Sequence, residues 1–180
     1  GEMLGAAVDS GDRLPAVVQA NYKPPAGDGA TRAAWENYGI GDYVVLERDG
    51  VRVAVFGLLG VDADACAPMS GMEFTPLAQA AQRVVETIQA QEAADYIVCL
   101  SHSGTTDGKG EDYELAKAVD GIDVIISGHT HSATQEPIRV NDTLIVSCGE
   151  YTRNLGVLTV EKTGEGLDTL DFRLVPIDET

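Results

Sequence analysis

The stretch DVIISGHTHSA, residues 123–133, decides how this chain reads. Val124, Ile125 and Ile126 form a short apolar run of the kind buried in a covered sheet, bounded by Asp123 and Gly128. Two of the chain's three histidines follow at once, His129 and His131. A similar arrangement stands upstream, where DYIVCLSHSG (95–104) is an apolar run ending on Ser101-His102. Between the two, EDYELAKAVDG (111–121) reads as a short amphipathic helix closed by glycine. Two buried strands ending in histidine predict imidazoles on one rim, because open α/β sheets bind ligands beyond the carboxyl ends of their strands. If the backbone over 129–131 is extended, His129 and His131 project to the same side. Gly128 allows a sharp turn before them.

Working outward, LPAVVQANY (14–22) reads as a short strand and KPPAGDGATRAA (23–34) as a breaker-rich loop. YVVLERDGVRVAVFGLLG (43–60) reads as a hairpin turning at Asp49-Gly50. FTPLAQAAQRVVETIQAQEA (74–93) is the clearest helix. Thr75 is placed to cap it, Pro76 suits its first position, and Leu77, Ala80, Ala81, Val84, Val85 and Ile88 form one apolar stripe. Residues 76–131 therefore alternate helix and strand, the pattern of an α/β layer. Beyond them, 136–151, 154–166 and 167–178 read as short strands of an antiparallel meander, split by Asn141-Asp142 and Gly164-Glu165-Gly166.

The chain has 180 residues, 44% of them apolar and 20 of them glycine, which fits a single globular domain with many turns. Twelve basic against 29 acidic residues give a net charge of −17, which argues against nucleic acid or an anionic membrane surface as partner. No apolar run has the length of a membrane span, and GEMLGAAVDSGD (1–12) lacks the form of a signal peptide. Any anionic substrate must be drawn by a local charge, and a bound cation supplies one. Cys66, Cys99 and Cys148 are widely spaced with no CxxC; Cys99 and Cys148 lie in apolar runs and read as buried thiols.

His102, His129 and His131 are the candidate metal ligands, since neutral imidazoles suit first-row divalent ions. The alternative is three loop histidines with local hydrogen bonds. Asp107, Glu111 and Asp112 are the nearest acids, although TTDGKGED (105–112) reads as a solvated turn. Asp123 reads as a turn or capping residue rather than a ligand.

LSHSG (100–104) followed by GIDVIISGHTH (121–131) resembles the last two metal motifs of the calcineurin-like metallophosphoesterases. LPAVVQANY, VRVAVFGLLG and NDTLIVSCGEYTRNLGVLTV resemble, in order, segments of the branch that holds 5′-nucleotidases, UDP-sugar hydrolases and 2′,3′-cyclic-nucleotide phosphodiesterases. The resemblance implies an α/β fold: part of a two-sheet β-sandwich flanked by helices (αββα), ending in antiparallel strands. It implies two divalent ions, zinc, manganese or similar, with His102 and His129 on one and His131 on the other. It also implies a nucleotide or other phosphate-ester substrate, and a place outside the cytoplasm. The family's Asp-x-His, Gly-Asp and Gly-Asn-His motifs are absent as a set, and FRLVPIDET (172–180) resembles the exit toward a specificity domain. Residues 1–180 are therefore expected to be one domain, the C-terminal portion of a catalytic domain. No catalytic residue of its own is expected, and the substrate-binding residues stay unassigned. The expected chain is an inactive part of a phosphohydrolase, prone to self-association through uncovered sheet. Two other readings compete: a non-enzymatic acidic α/β module, and a mononuclear zinc hydrolase built on the three histidines.

Overall fold

The computed structural model describes residues 2–163 and 166–177, so the turn expected at Gly164-Glu165 and the last residues of FRLVPIDET lie outside the described residues. In chain order the elements are α1 (Glu2–Asp9), β1 (Tyr22–Lys23), α2 (Gly29–Tyr38), β2 (Tyr43–Arg48), β3 (Val51–Leu59), α3 (Val61–Ala65), β4 (Glu73–Phe74) and α4 (Leu77–Gln91). They continue with β5 (Tyr96–His102), α5 (Glu111–Ala118), β6 (Val124–Ser127), β7 (Ile138–Val140), β8 (Thr143–Val146), β9 (Asn154–Thr163) and β10 (Gly166–Pro176).

The centre is a six-stranded sheet in the order β2-β3-β5-β6-β8-β7. β3, β5, β6 and β8 run parallel, and antiparallel β2 and β7 close the two edges. Asp49 and Gly50 join β2 to β3 with φ of 53° and 82°, the left-handed pair that a two-residue hairpin requires. One face of the sheet meets α4 and α5. All six residues of the α4 stripe are buried there, packed with Phe56, Ile97, Cys99, Ile125 and Ile145. On the other face, the β9–β10 ribbon packs Leu158, Val160 and Phe172 over Val124, Leu144 and Val146. This second layer is partial. A cavity of about 650 Å³ separates ribbon from sheet, and Leu100 and Ile126 remain exposed on the same face.

Several local expectations are corrected. LPAVVQANY is not a strand: Val18 makes a single bridge to Gly41, and only Tyr22 joins a two-residue strand, paired with β4. Half of the expected loop at 23–34 is helix α2, because Asp28 caps it by accepting from the Thr31 N–H at 3.0 Å. α4 begins at Leu77, and Thr75 does not cap it. α5 ends at Ala118, before Gly121 turns the chain with φ of 89°. The meander divides: β8 pairs parallel with β6 inside the main sheet, while β9 and β10 form a sheet of their own. Cys99 is buried as expected, Cys148 is half-buried at the cavity wall, and Cys66 is exposed. No helix among the described residues is long and apolar enough to cross a membrane.

The segment before β1 is held over the end of β3 by close contact. A side chain at Gly57 would place its Cβ 2.2 Å from the Val18 carbonyl oxygen. Three residues after Val18, the fully buried Asn21 donates from Nδ2 to the Leu59 and Thr75 carbonyls and accepts the Leu59 N–H at 2.8 Å. Asn21→Ala strands those backbone groups in the interior. It is expected to cost about 2–4 kcal/mol of unfolding free energy, read by urea denaturation against the parent chain.

Candidate metal centre

The parallel register sets the site. Leu59 of β3 lies opposite His102 of β5, and Ser101 of β5 lies opposite Ser127 of β6, so three strand exits reach one rim. His102 is the last residue of β5. After β6, Gly128 donates its N–H to the Ser101 carbonyl at 2.8 Å. His129 then turns in the left-handed region with φ of 78°, and His131 with φ of 58°. The expected extended His-x-His is therefore corrected: two left-handed residues, not strand alternation, set the directions of these rings.

His102 and His129 do come together. Their ring centroids lie 5.0 Å apart at 63°, with Nδ1 of His129 3.3 Å from Nε2 of His102. The other nitrogen of His129, Nε2, lies 2.8 Å from Oδ2 of Asp62 on α3. A carboxylate there takes the N–H and leaves the Nδ1 lone pair facing His102, the second-partner arrangement common to metal-binding histidines. Two bonds of ~2.05 Å at a tetrahedral angle span ~3.3 Å, so the pair of nitrogens has the bite of one first-row cation. His102 sits at the rim with its pKa below the ordinary imidazole value, first through desolvation and then through the positive charges of His129 and His131 when protonated. That favours the neutral, ligating form.

His131 is directed elsewhere. Its Nδ1 lies 2.6 Å from Oε2 of Glu150, just beyond β8, and its ring lies 5.5 Å from that of Tyr151. Nε2 is thus the nitrogen it can offer. Among the described residues no three His, Cys, Asp or Glu side chains gather as one ligand set, so the geometry does not support the mononuclear three-histidine reading.

The acids near His102 also sort out. Asp107 occupies an exposed turn with φ of 49°. Glu111 instead accepts the N–H groups of Val61 and Asp62 at 2.8 and 3.2 Å, capping α3 from outside and holding Asp62 in place. Asp112 is fully buried, contrary to a solvated turn. Asp123 lies at the opposite end of β6, accepting the Ile97 N–H at 2.7 Å and pairing with Lys162 at 3.1 Å. Asp62 and Glu150 were not legible as site residues. The signal for both is the strand-end rule already applied to the histidines, once β3 and β8 are known to be parallel to β5 and β6.

No protein-family model matches the chain. It is 37% identical over 148 residues to the trifunctional nucleotide phosphoesterase YfkN of Bacillus subtilis, covering 78% of this chain and 10% of that protein. It is 34% identical over 89 residues to a probable 5′-nucleotidase of Treponema pallidum, 48% of this chain and 14% of that protein. Its fold superposes on the 5′-nucleotidase precursor of Thermus thermophilus with a TM-score of 0.72 at 25% identity, covering 95% of this chain and 35% of that one. The chain belongs to the calcineurin-like metallophosphoesterases, in their 5′-nucleotidase branch. It spans about a tenth to a seventh of the length of these curated relatives.

His102 is expected to titrate below 6.5 in an NMR pH series of its ring protons. A base whose folded pKa is depressed binds fewer protons folded than unfolded, so this group contributes a loss of stability as pH falls through about 6.5 toward its folded value. An ordinary His102 titration would contradict the geometry.

Proposed function

We propose that this chain is the histidine-bearing, C-terminal portion of the catalytic domain of a metal-dependent nucleotide phosphoesterase, and that it does not hydrolyse phosphate esters by itself. The observation that carries the reading is the pair of imidazole nitrogens 3.3 Å apart at two parallel strand ends. His102 through Nε2 and His129 through Nδ1 hold one divalent ion. His131, through Nε2, serves a second. When bound, such ions lower the pKa of water and offset charge on phosphoryl oxygens.

The chain's own residues orient and present. Asp62 keeps the His129 proton on Nε2, and Glu150 keeps the His131 proton on Nδ1, so the two histidines offer opposite nitrogens. Two imidazoles do not complete a coordination sphere, and the remaining ligands come from outside this chain. The exposed Leu100 and Ile126 and the cavity under the ribbon support a further layer packing on that sheet face. Without that layer the chain self-associates at high concentration. The substrate is a nucleoside monophosphate, nucleotide sugar or cyclic nucleotide. At a net charge of −17 the overall field opposes any such anion, so attraction is local to the cations. Placement outside the cytoplasm follows the resemblance alone.

Equilibrium dialysis with zinc and with manganese tests the ligand assignment. Weak binding is expected, reduced at least about tenfold by His102→Ala and by His129→Ala, and less by His131→Ala. Unchanged binding in the first two variants would overturn it. The metal-loaded chain should not turn over bis-p-nitrophenyl phosphate, and turnover at a rate ordinary for an enzyme would refute the incomplete site.

A further inference from the structure

Among the described residues Asp112 is the one charged side chain buried completely, and the metal-ligand reading gives it no role. It lies in the first turn of α5, directly behind the ends of β5 and β6. Its Oδ1 accepts the Ser101 hydroxyl at 2.5 Å; its Oδ2 accepts the Ser127 hydroxyl at 2.6 Å and the Gly104 N–H at 3.0 Å. Ser101 precedes His102, and Ser127 stands two residues before His129. One carboxylate therefore grips both strands at the last point before each histidine leaves the sheet, and holds the loop after His102 as well.

We infer that Asp112 is a positioning residue whose clamp on Ser101, Ser127 and Gly104 sets the spacing between the His102 and His129 imidazoles. The inference rests on reading those two histidines as a ligand pair. Burial drives the Asp112 carboxyl above its ordinary pKa, and its hydrogen bonds offset only part of this. Its oxygens meet two hydroxyls and an amide N–H rather than a cation, so a neutral or apolar group would carry less desolvation cost there. A costly group held by three donors is what a geometric constraint requires, and plain packing does not.

The other ties between the loops act further out. Thr130 and Ser132 both donate to the Thr105 carbonyl, at 2.8 and 2.5 Å, which fixes the His131 side of the turn. The Gly128 N–H on the Ser101 carbonyl continues the ladder but leaves both side-chain faces free to shear. Among the described residues only Asp112 joins Ser101 to Ser127 through a third element.

The test uses the 180-residue chain and two readouts: the nuclear Overhauser contact between the His102 and His129 ring protons without metal, and zinc affinity. Asp112→Ala is expected to abolish the ring contact and weaken zinc at least about tenfold. Asp112→Asn keeps the shape and one acceptor oxygen, and should recover most of both. Ile88→Ala, a fully buried cavity mutation on α4, should lower the unfolding midpoint while leaving both readouts intact. If Asp112→Ala does not fold, Ser127→Ala removes one arm of the clamp and should weaken the ring contact. A ring contact undiminished in Asp112→Ala or in Ser127→Ala, or one lost equally in Ile88→Ala, overturns the inference. Failure of the metal reading is separate: His102→Ala and His129→Ala would leave zinc unchanged, while the metal-free ring contact still judges Asp112.

Discussion

The parallel pairing of β5 with β6 is the constraint from which the rest follows. Parallel strands send their carboxyl ends to one edge, and the register of Ser101 against Ser127 aligns those ends within a residue. An antiparallel pairing of the same segments would put His102 and His129 at opposite ends of the strands, roughly 20 Å apart for six residues of rise. A slip of β6 by one residue would turn Ser127 away from the helical layer, where its hydroxyl finds a buried acceptor, and put Ile126 in its place. Hydrophobic alternation and hydroxyl placement thus select the same register. The convergence of two imidazoles is its by-product.

The rim built this way is acidic without being uniformly so. Asp62, from the end of β3, and Glu150, from beyond β8, flank the histidine pair on either side and fix which nitrogen each of their partners exposes. Asp112 faces inward and bonds to hydroxyls rather than to imidazole. With Asp62 and Glu150 each holding one imidazole N–H and Asp112 turned to Ser101, Ser127 and Gly104, the opposite ring nitrogens of His129 and His131 are left as ligand atoms of the rim. This division of labour suits a chain whose acids far outnumber its bases, because a free carboxylate crowd at the same edge would compete with the histidines for any cation.

Much of this was legible in the residues. The α4 stripe, the Asp49-Gly50 turn and the two apolar strands, one ending on His102 and one stopping two residues before His129, are local patterns, and local patterns survive folding. What escaped depended on contacts distant in sequence. Glu111 and Asp112 look like surface acids in a glycine-rich turn, and nothing nearby reveals that one caps a helix 50 residues away and the other is sealed beneath two strands. The extended reading of His129 and His131 failed because the strand stops at Ser127, and the residues after Gly128 obey turn geometry. The parallel place of β8 was hidden by its short hairpin with β7, which looks from sequence like part of a simple meander.

Gly57 carries a consequence of a different kind. The Val18 carbonyl occupies the volume that any side chain there would need, and Ala20 donates its N–H to the Gly57 carbonyl at 2.8 Å. A methyl group at this one position would push residues 17–21 off β3. The loss would travel through the buried amide of Asn21 to both Leu59 and Thr75, loosening the exit of β3 and the entrance of α4 together. An absent side chain, in the same pocket that His102 lines, is thus the gauge against which the rim around Asp62 is levelled.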